Sequence, residues 1–223
     1  HKLLFRFFFR LPRPVAPRPL PLSTTLPPPL ARPVFRKPFF RPSFCAFCTG
    51  TNLCQKGIYC IMQTFPYDRA AAAAYARKWA FGRNPRYYNF DRLGGDCTNF
   101  ASQCIYAGAK VMNFTPTFGW FYRSLNDRAP AWTGVEYLYN FLVGNDGVGP
   151  FAEEAPLHAL EIGDIVQLGR ETGDFYHSPV VTDIVRGQIF VAAHTYDAYD
   201  RPLASYRFEK ARGIHILGVR KEE

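Results

Sequence analysis

The N-terminal quarter of the sequence has no acidic residues. Residues 1–61 contain 10 of the 27 Lys and Arg residues and none of the 18 Asp and Glu residues. Residues 62–223 therefore carry 17 basic and 18 acidic side chains, so this part of the chain is close to neutral. The excess of positive charge thus lies in the first segment. Residues 62–223 have no positive field, which argues against a nucleic-acid-binding protein.

The sequence also lacks the motifs of nucleotide-binding enzymes and any long apolar run. Neither a P-loop nor a dinucleotide fingerprint occurs, and no internal repeat is visible. No uninterrupted apolar stretch approaches the roughly 20 residues that cross a bilayer. We therefore expect no cofactor and no membrane partner. No signal peptide is evident after Met62, so a cytoplasmic location is the default expectation, with association with the cell wall left open.

The first 61 residues have an unusual composition. They hold 11 of the 19 prolines and 9 of the 21 phenylalanines, and the first methionine of the chain is Met62. Dense proline disfavours helices and central strands, so we predict a disordered tail over 1–61 and a folded domain over 62–223. We further hypothesise that translation begins at Met62 and that the tail is not part of the natural protein.

Cysteine is scarce in the predicted domain. Four of the six cysteines lie in the tail (Cys45, Cys48, Cys54 and Cys60), and their spacing lacks the second C-x-x-C of a zinc site, so we predict no metal. The other two, Cys97 and Cys104, are seven residues apart on a predicted helix. At 1.5 Å per residue they lie about 10 Å apart, too far for a disulfide, and we expect free thiols.

Three amphipathic helices are predicted in the first half of the domain. The first is capped by Asp68 and ended by Gly82, and the second begins at Cys97 and is closed by Gly108. A long aromatic loop over 109–132 follows, with side chains that could line a groove or pack beneath it. A third helix begins at a capping box over 133–136.

Short β-rich runs dominate the second half. They cover 165–168, 178–185, 188–193 and 214–219, with Arg186-Gly187 as the hairpin turn between the second and third. Three helices followed by an antiparallel meander predict an α+β fold.

The candidate nucleophile lies at the start of the second helix. Gly94 and Gly95 free the backbone before Asp96, a candidate N-cap, and Cys97 falls in the first helical turn. The positive end of the helix dipole favours a thiolate there, so we expect a lowered pKa for Cys97. Cys104 lies on the buried face and is predicted to be inert.

A cysteine nucleophile needs a base and a group that orients the base. His177 precedes an apolar strand and His194 ends the next, so a hairpin would bring both to the same end of the sheet. We predict His177 as the base and His194 as the orienting residue, with Asp197 and Asp200 as competitors for the latter role. His158 and His215 are expected to have no catalytic role.

Three separated motifs carry a family resemblance. Residues 95–100 (Gly-Asp-Cys-Thr-Asn-Phe), 162–166 (Ile-Gly-Asp-Ile-Val) and 177–181 (His-Ser-Pro-Val-Val) resemble the putative amidase domain family, which is related to the CHAP and NlpC/P60 cysteine peptidases. The resemblance covers 65–219. It implies a papain-like fold of the NlpC/P60 type, with Cys97 as nucleophile, His177 as base and His194 at the position of the third polar residue. Relatives cleave amide bonds, often in cell-wall peptides.

The sequence thus predicts a monomeric, thiol-dependent amidohydrolase that acts on a peptide or amide substrate. Two alternatives stay open. An acyltransferase of the same fold would pass the thioester to an amine, and a binding module would have lost its chemistry, although the presence of both Cys97 and His177 argues against the latter.

Overall fold

Four α-helices and eight β-strands form the part of the chain that the computed structural model describes, residues 62–222. The predictions made for residues 1–61, including the disordered tail, the tail cysteines and the start at Met62, lie outside the described residues. The helices are α1 (Arg69–Trp79), α2 (Cys97–Ala109), α3 (Pro130–Thr133) and α4 (Val135–Gly144). The strands are β1 (Met62–Phe65), β2 (Gly149–Ala155), β3 (Ile165–Gly169), β4 (Phe175–His177), β5 (Val180–Val185), β6 (Gln188–Ala193), β7 (Ala198–Pro202) and β8 (Lys210–Glu222). Two short 3₁₀ helices cover Leu157–Ala159 and Leu203–Ser205.

All strand pairings are antiparallel, in the order β1-β8-β3-β5-β6-β7, with β2 also on β8 and β4 also on β3. β8 is the longest strand, with 13 residues, and pairs with β1, β2 and β3. The predicted α+β fold with an antiparallel sheet is therefore confirmed. The predicted hairpin joins β5 and β6, and both turn residues have positive φ, 52° at Arg186 and 79° at Gly187, as a type I′ turn requires.

Alternate strand residues pack into two separate hydrophobic clusters. Ile165 and Val180 join Phe100 and Cys104 of α2 in the larger, helix-covered cluster. Val166 belongs to a smaller cluster that contains no residue of the four α-helices. The sheet is thus buried on both sides, and α2 is almost wholly enclosed because 12 of its 13 residues are buried.

Two predicted helix boundaries are corrected by the structure. Asp68 caps α1 as expected, accepting a hydrogen bond from Ala71 N at 2.9 Å, but Gly108 does not end α2, which continues to Ala109. Gly108 serves close packing instead, since a Cβ there would lie 2.4 Å from Tyr67 Cε2. The predicted capping box at α4 is wrong, because no side chain caps that helix.

The predicted loop over 109–132 contributes to the core. Trp120 and Trp132 are fully buried, and their rings lie 4.8 Å apart. Phe114 and Phe118 are exposed. None of the helices within residues 62–222 is long and apolar enough to cross a membrane.

Candidate active site

Cys97 is the first residue of α2, and its sulfur lies against the backbone of β4. Its Sγ is 4.0 Å from the carbonyl oxygen of Tyr176, and the backbone N–H of Ser178 donates toward it. These two groups flank His177 in the sequence. The side chain of Thr98 completes the surroundings, with its Oγ1 3.8 Å from Sγ. Cys97 is a free thiol with 7% of its surface exposed.

Burial, not the helix dipole, dominates the ionisation of Cys97. The pKa of its thiol is raised by burial, an effect that hydrogen bonds from the Thr98 hydroxyl and from the backbone N–H groups of Ser178 and Thr98 oppose. The nearby Asp96 carboxylate raises this pKa further. The predicted lowering of the Cys97 pKa is therefore wrong in direction, because the sequence did not reveal how deeply the first turn is buried. Cys104 is fully buried, and burial raises its pKa well above the ordinary value.

Asp96 is not a side-chain cap of α2, contrary to the sequence prediction. Its buried carboxylate instead accepts hydrogen bonds from Phe90 N (2.9 Å) and from the Asn99 side chain of α2 (Nδ2, 2.9 Å). The shortest contact, 2.6 Å, is with Nδ1 of His194. The preceding Gly95 has φ +106°, a conformation that favours glycine.

His194 therefore contacts Asp96, the residue before Cys97, and not His177, the proposed base. Its Nε2 bonds to the carbonyl oxygen of Trp79 at 2.8 Å, and its ring stacks on Phe100 with centroids 3.9 Å apart. Since both ring nitrogens face acceptors, none is left for His177. The expected orienting contact between the two histidines is not made.

His177 is the last residue of β4, and its ring lies beside that of Tyr206. The two ring centroids are 5.7 Å apart, and 7% of the surface of His177 is exposed. Burial, with a smaller effect from Arg201, lowers the pKa of His177 to about 4. The imidazole is thus neutral near pH 7, able to accept a proton. Within residues 62–222, no hydrogen bond joins His177 to a carboxylate or to Cys97; in cysteine–histidine pairs such bonds are often long before substrate binds.

The two aspartates considered as alternatives do not contact His177. Asp197 pairs with Arg83 at 2.8 Å, and Asp200 lies on β7 with φ +51°. The ring that does lie beside His177, Tyr206, was missed by sequence reasoning, because it follows a 3₁₀ helix in a stretch without a recognisable motif.

A second buried carboxylate, Asp164, lies apart from these residues. It accepts hydrogen bonds from Arg69 Nη1 (2.7 Å), His215 Nδ1 (2.7 Å) and the backbone N–H groups of Glu161 and Ile216 (2.8 and 2.9 Å). His215 is thus engaged in a structural network, away from Cys97. The described residues, 62–222, contain no cluster of three or more His, Cys, Asp or Glu side chains that could hold a metal ion.

The sequence was compared with those of known proteins. The chain is 33% identical over 141 residues to the uncharacterised protein YhbB of Bacillus subtilis (strain 168), which is 61% of this chain and 44% of that protein. It thus spans less than half the length of this curated relative. No solved structure matches. A family model described as "Putative amidase domain" matches residues 66–217, which include Cys97, His177 and His194, and the chain therefore belongs to the Putative amidase domain family.

Proposed function

We propose that this chain is a thiol-dependent amidohydrolase, a narrower activity than the amidase-type function that its family indicates. The observation that carries the proposal is the position of Cys97 Sγ, which lies between the backbone groups on either side of His177, 4.0 Å from Tyr176 O. A thiol at a helix N-terminus, in contact with the backbone on both sides of a neutral, buried histidine, supports acyl transfer through a thioester.

Acylation begins from a neutral pair. Near pH 7, Cys97 is a thiol because burial raises its pKa, and His177 is a neutral imidazole because burial lowers its pKa to about 4. His177 accepts the thiol proton as Sγ attacks the carbonyl carbon of the substrate and a C–S bond forms. The carbonyl π pair moves to oxygen, giving an oxyanion. When it returns, the C–N bond breaks and His177 gives its proton to the departing amine.

Deacylation repeats these steps with water. His177 takes one proton from a water molecule, whose oxygen attacks the thioester carbon. The C–S bond then breaks, the thiolate recovers the proton from His177, and a carboxylic acid leaves. The backbone N–H of Cys97 is one donor for the oxyanion in both halves, because the first N–H groups of a helix have no partner within it.

His194 is proposed as a positioning residue and not as the partner of His177. It holds the Asp96 carboxylate at 2.6 Å, and Asp96 directly precedes Cys97. Its effect on the reaction would pass through the position of the α2 N-terminus. Tyr206 packs against His177 and limits the orientations of its ring.

Peptide amides, including those of the bacterial cell wall, are the proposed substrates, by analogy with the relatives that the sequence resembles. Transfer of the acyl group to an amine is the second candidate. It uses the same Cys97 and His177 chemistry and differs only in the acceptor that attacks the thioester.

The test is incubation of the purified full chain with peptidoglycan fragments and with simple peptide amides, followed by mass spectrometry. Hydrolysis adds 18 Da across a cleaved bond, whereas transfer to an added amine gives a conjugate. We expect Cys97→Ala and His177→Ala to abolish turnover and Cys104→Ala, the control for the second thiol, to retain it. Undiminished turnover in Cys97→Ala would refute the proposal.

A further inference from the structure

A buried chain of polar side chains leads from Cys97 into the sheet. The Thr98 and Ser178 hydroxyl oxygens are 3.4 Å apart, and Gln167 Nε2 lies 3.3 Å from Ser178 Oγ. Thr98 Oγ1 is in turn 3.8 Å from Cys97 Sγ. Gln167, Ser178 and Thr98 are 0–1% exposed. Buried polar groups are costly without partners. These side chains partner one another in a continuous series that ends at the Cys97 sulfur.

The contact between Arg212 and Gln167 fixes the direction in which hydrogen bonds are donated along this series of side chains. Gln167 Oε1 faces Nε and Nη2 of Arg212 at 2.9 and 2.6 Å. A guanidinium only donates hydrogen bonds, so the amide oxygen of Gln167 must point at Arg212 and its NH₂ group at Ser178. Ser178 Oγ is therefore an acceptor from Gln167, and its own proton is free to be donated onward.

The Thr98 and Ser178 hydroxyls each have one proton, so their hydrogen bonds can take two arrangements, one for the thiol and one for the thiolate of Cys97. With Cys97 as a thiol, Thr98 donates to Ser178, as the geometry in the structure allows. With Cys97 ionised, the sulfur needs donors, and once Thr98 turns its proton to Sγ, Thr98 Oγ1 is open to accept a hydrogen bond from another group. Ser178 is placed to do so, because Gln167 already fills an acceptor position on its oxygen.

We propose that Thr98 and Ser178 are positioning residues: when Cys97 ionises, Thr98 turns its hydroxyl proton to Sγ and Ser178 turns its own to Thr98 Oγ1, with Gln167 setting the direction of donation. This inference rests on the proposed role of Cys97 as nucleophile. It adds a side-chain donor to the backbone N–H groups of Ser178 and Thr98 for a thiolate formed away from water. Hydrogen bonds to an ionised group are about twice as strong as neutral ones.

The charged groups around Cys97 do not provide this stabilisation. The Asp96 carboxylate, from the preceding loop, opposes ionisation, and His177 of β4 is neutral above about pH 4. Gln167, Ser178 and Thr98 lie between Arg212 of β8 and the sulfur. Arg212 also forms an ion pair with Glu136 of α4 at 3.0 Å. The close donors are the Thr98 hydroxyl and the backbone N–H groups of Ser178 and Thr98.

The test measures the pKa of the Cys97 thiol from the pH dependence of its alkylation by iodoacetamide, followed by peptide mapping in the full chain. We expect Thr98→Val to raise this pKa by about one unit, equivalent to about tenfold slower alkylation at fixed pH. Ser178→Ala should raise it by less, because it removes the second donor and not the first. Thr98→Ser keeps the hydroxyl and should restore the wild-type value.

Thr182→Val is the matched control. Thr182 is also a buried threonine, but its hydroxyl has no hydrogen-bond partner within residues 62–222, and it lies in β5 outside this chain of contacts. Its variant should leave the pKa of Cys97 unchanged. The inference is overturned if Thr98→Val or, should that variant not fold, Ser178→Ala leaves the pKa of Cys97 unchanged, or if Thr182→Val raises it equally. Alkylation needs no substrate, so it tests the hydrogen-bond donors independently of the proposed function. Raised Cys97 pKa values in Thr98→Val and Ser178→Ala, together with no amide hydrolysis by the wild type, would refute the proposed function and support the donor role of these hydroxyls.

Discussion

Two buried carboxylates, Asp96 and Asp164, have similar surroundings and different consequences. Each follows a glycine with positive φ, +106° at Gly95 and +88° at Gly163. Each is fully buried, binds Nδ1 of a histidine at 2.6–2.7 Å, accepts at least one backbone N–H, and has an arginine nearby. In sequence, the two Gly-Asp pairs cannot be told apart.

The arginines distinguish the two centres. Arg69 Nη1 approaches Asp164 to 2.7 Å, so that carboxylate is neutralised directly and joins α1 to β8. Arg83 comes no closer to Asp96 than 3.5 Å, because its Nη atoms bind Asp91 and Asp197. Asp164 therefore serves the stability of the fold, whereas Asp96 directly precedes Cys97 and its carboxylate raises the pKa of that thiol.

The largest expected effect is that of Asp164→Ala on stability. It leaves Arg69, His215 and two backbone N–H groups without their acceptor, and removing one partner of a buried ion pair costs about 3–5 kcal/mol. Denaturant unfolding monitored by circular dichroism measures this loss. Glu161→Ala is the control, since it removes only an exposed partner of Arg69 and should cost under about 1 kcal/mol. Equal losses in the two variants would contradict the structural role of Asp164.

The next effect concerns His177, the buried histidine without a carboxylate partner in residues 62–222. Its pKa is about 4 in the folded chain and about 6.5 when unfolded. Between these values only the unfolded chain binds the proton, so stability falls as the pH drops from 6.5 to 4, by at most about 3 kcal/mol. Unfolding free energies measured across this range should fall less steeply for His177→Asn than for the wild type. Parallel curves would show that the His177 pKa is not lowered.

Asp96→Asn should have a smaller effect on stability and a selective effect on turnover. It keeps the volume of the side chain but weakens the contact with His194, at a cost of about 1–3 kcal/mol. Because Asp96 directly precedes Cys97, a small shift of the nucleophile should lower kcat roughly 10–100-fold. Folded Asp164→Ala protein, assayed in parallel on the same amide, should keep its kcat. If both variants lose kcat to the same extent, the division between the two centres is wrong.

Asp197→Asn should have the smallest effect. Its carboxylate is partly exposed and shares Arg83 with Asp91, so the expected loss of stability is about 0.5 kcal/mol or less and should shrink in high salt. We expect an unchanged kcat, since Asp197 does not contact His177. A large loss of kcat with normal stability would return Asp197 to the role of orienting residue.

Sequence reasoning recovered the features that depend on local backbone chemistry. The Asp68 cap, the Arg186-Gly187 turn and the free thiols at Cys97 and Cys104 are as predicted. The family resemblance over 65–219 is confirmed by the match over 66–217.

What sequence reasoning missed depends on which groups meet across long separations. Asp96 was interpreted as a cap because an acidic residue before a helix has the same pattern whether it caps that helix or binds His194, 98 residues away. His177 and His194 were paired because both lie at one end of neighbouring strands. The structure separates them because β4 ends at His177 and pairs with β3, which places that ring near Tyr206, while His194 stacks on Phe100.

The position of β8 in the sheet has a consequence for synthesis on the ribosome. Translation releases the strands in chain order, so the segment that pairs with β1, β2 and β3 emerges after all three of them. Until Lys210–Glu222 leaves the exit tunnel, those strands have no partner on that side, and their edges are open to other chains. Folding of this domain is therefore completed after most of it has been synthesised, and a premature stop before Lys210 would yield an aggregation-prone fragment instead of a smaller folded domain.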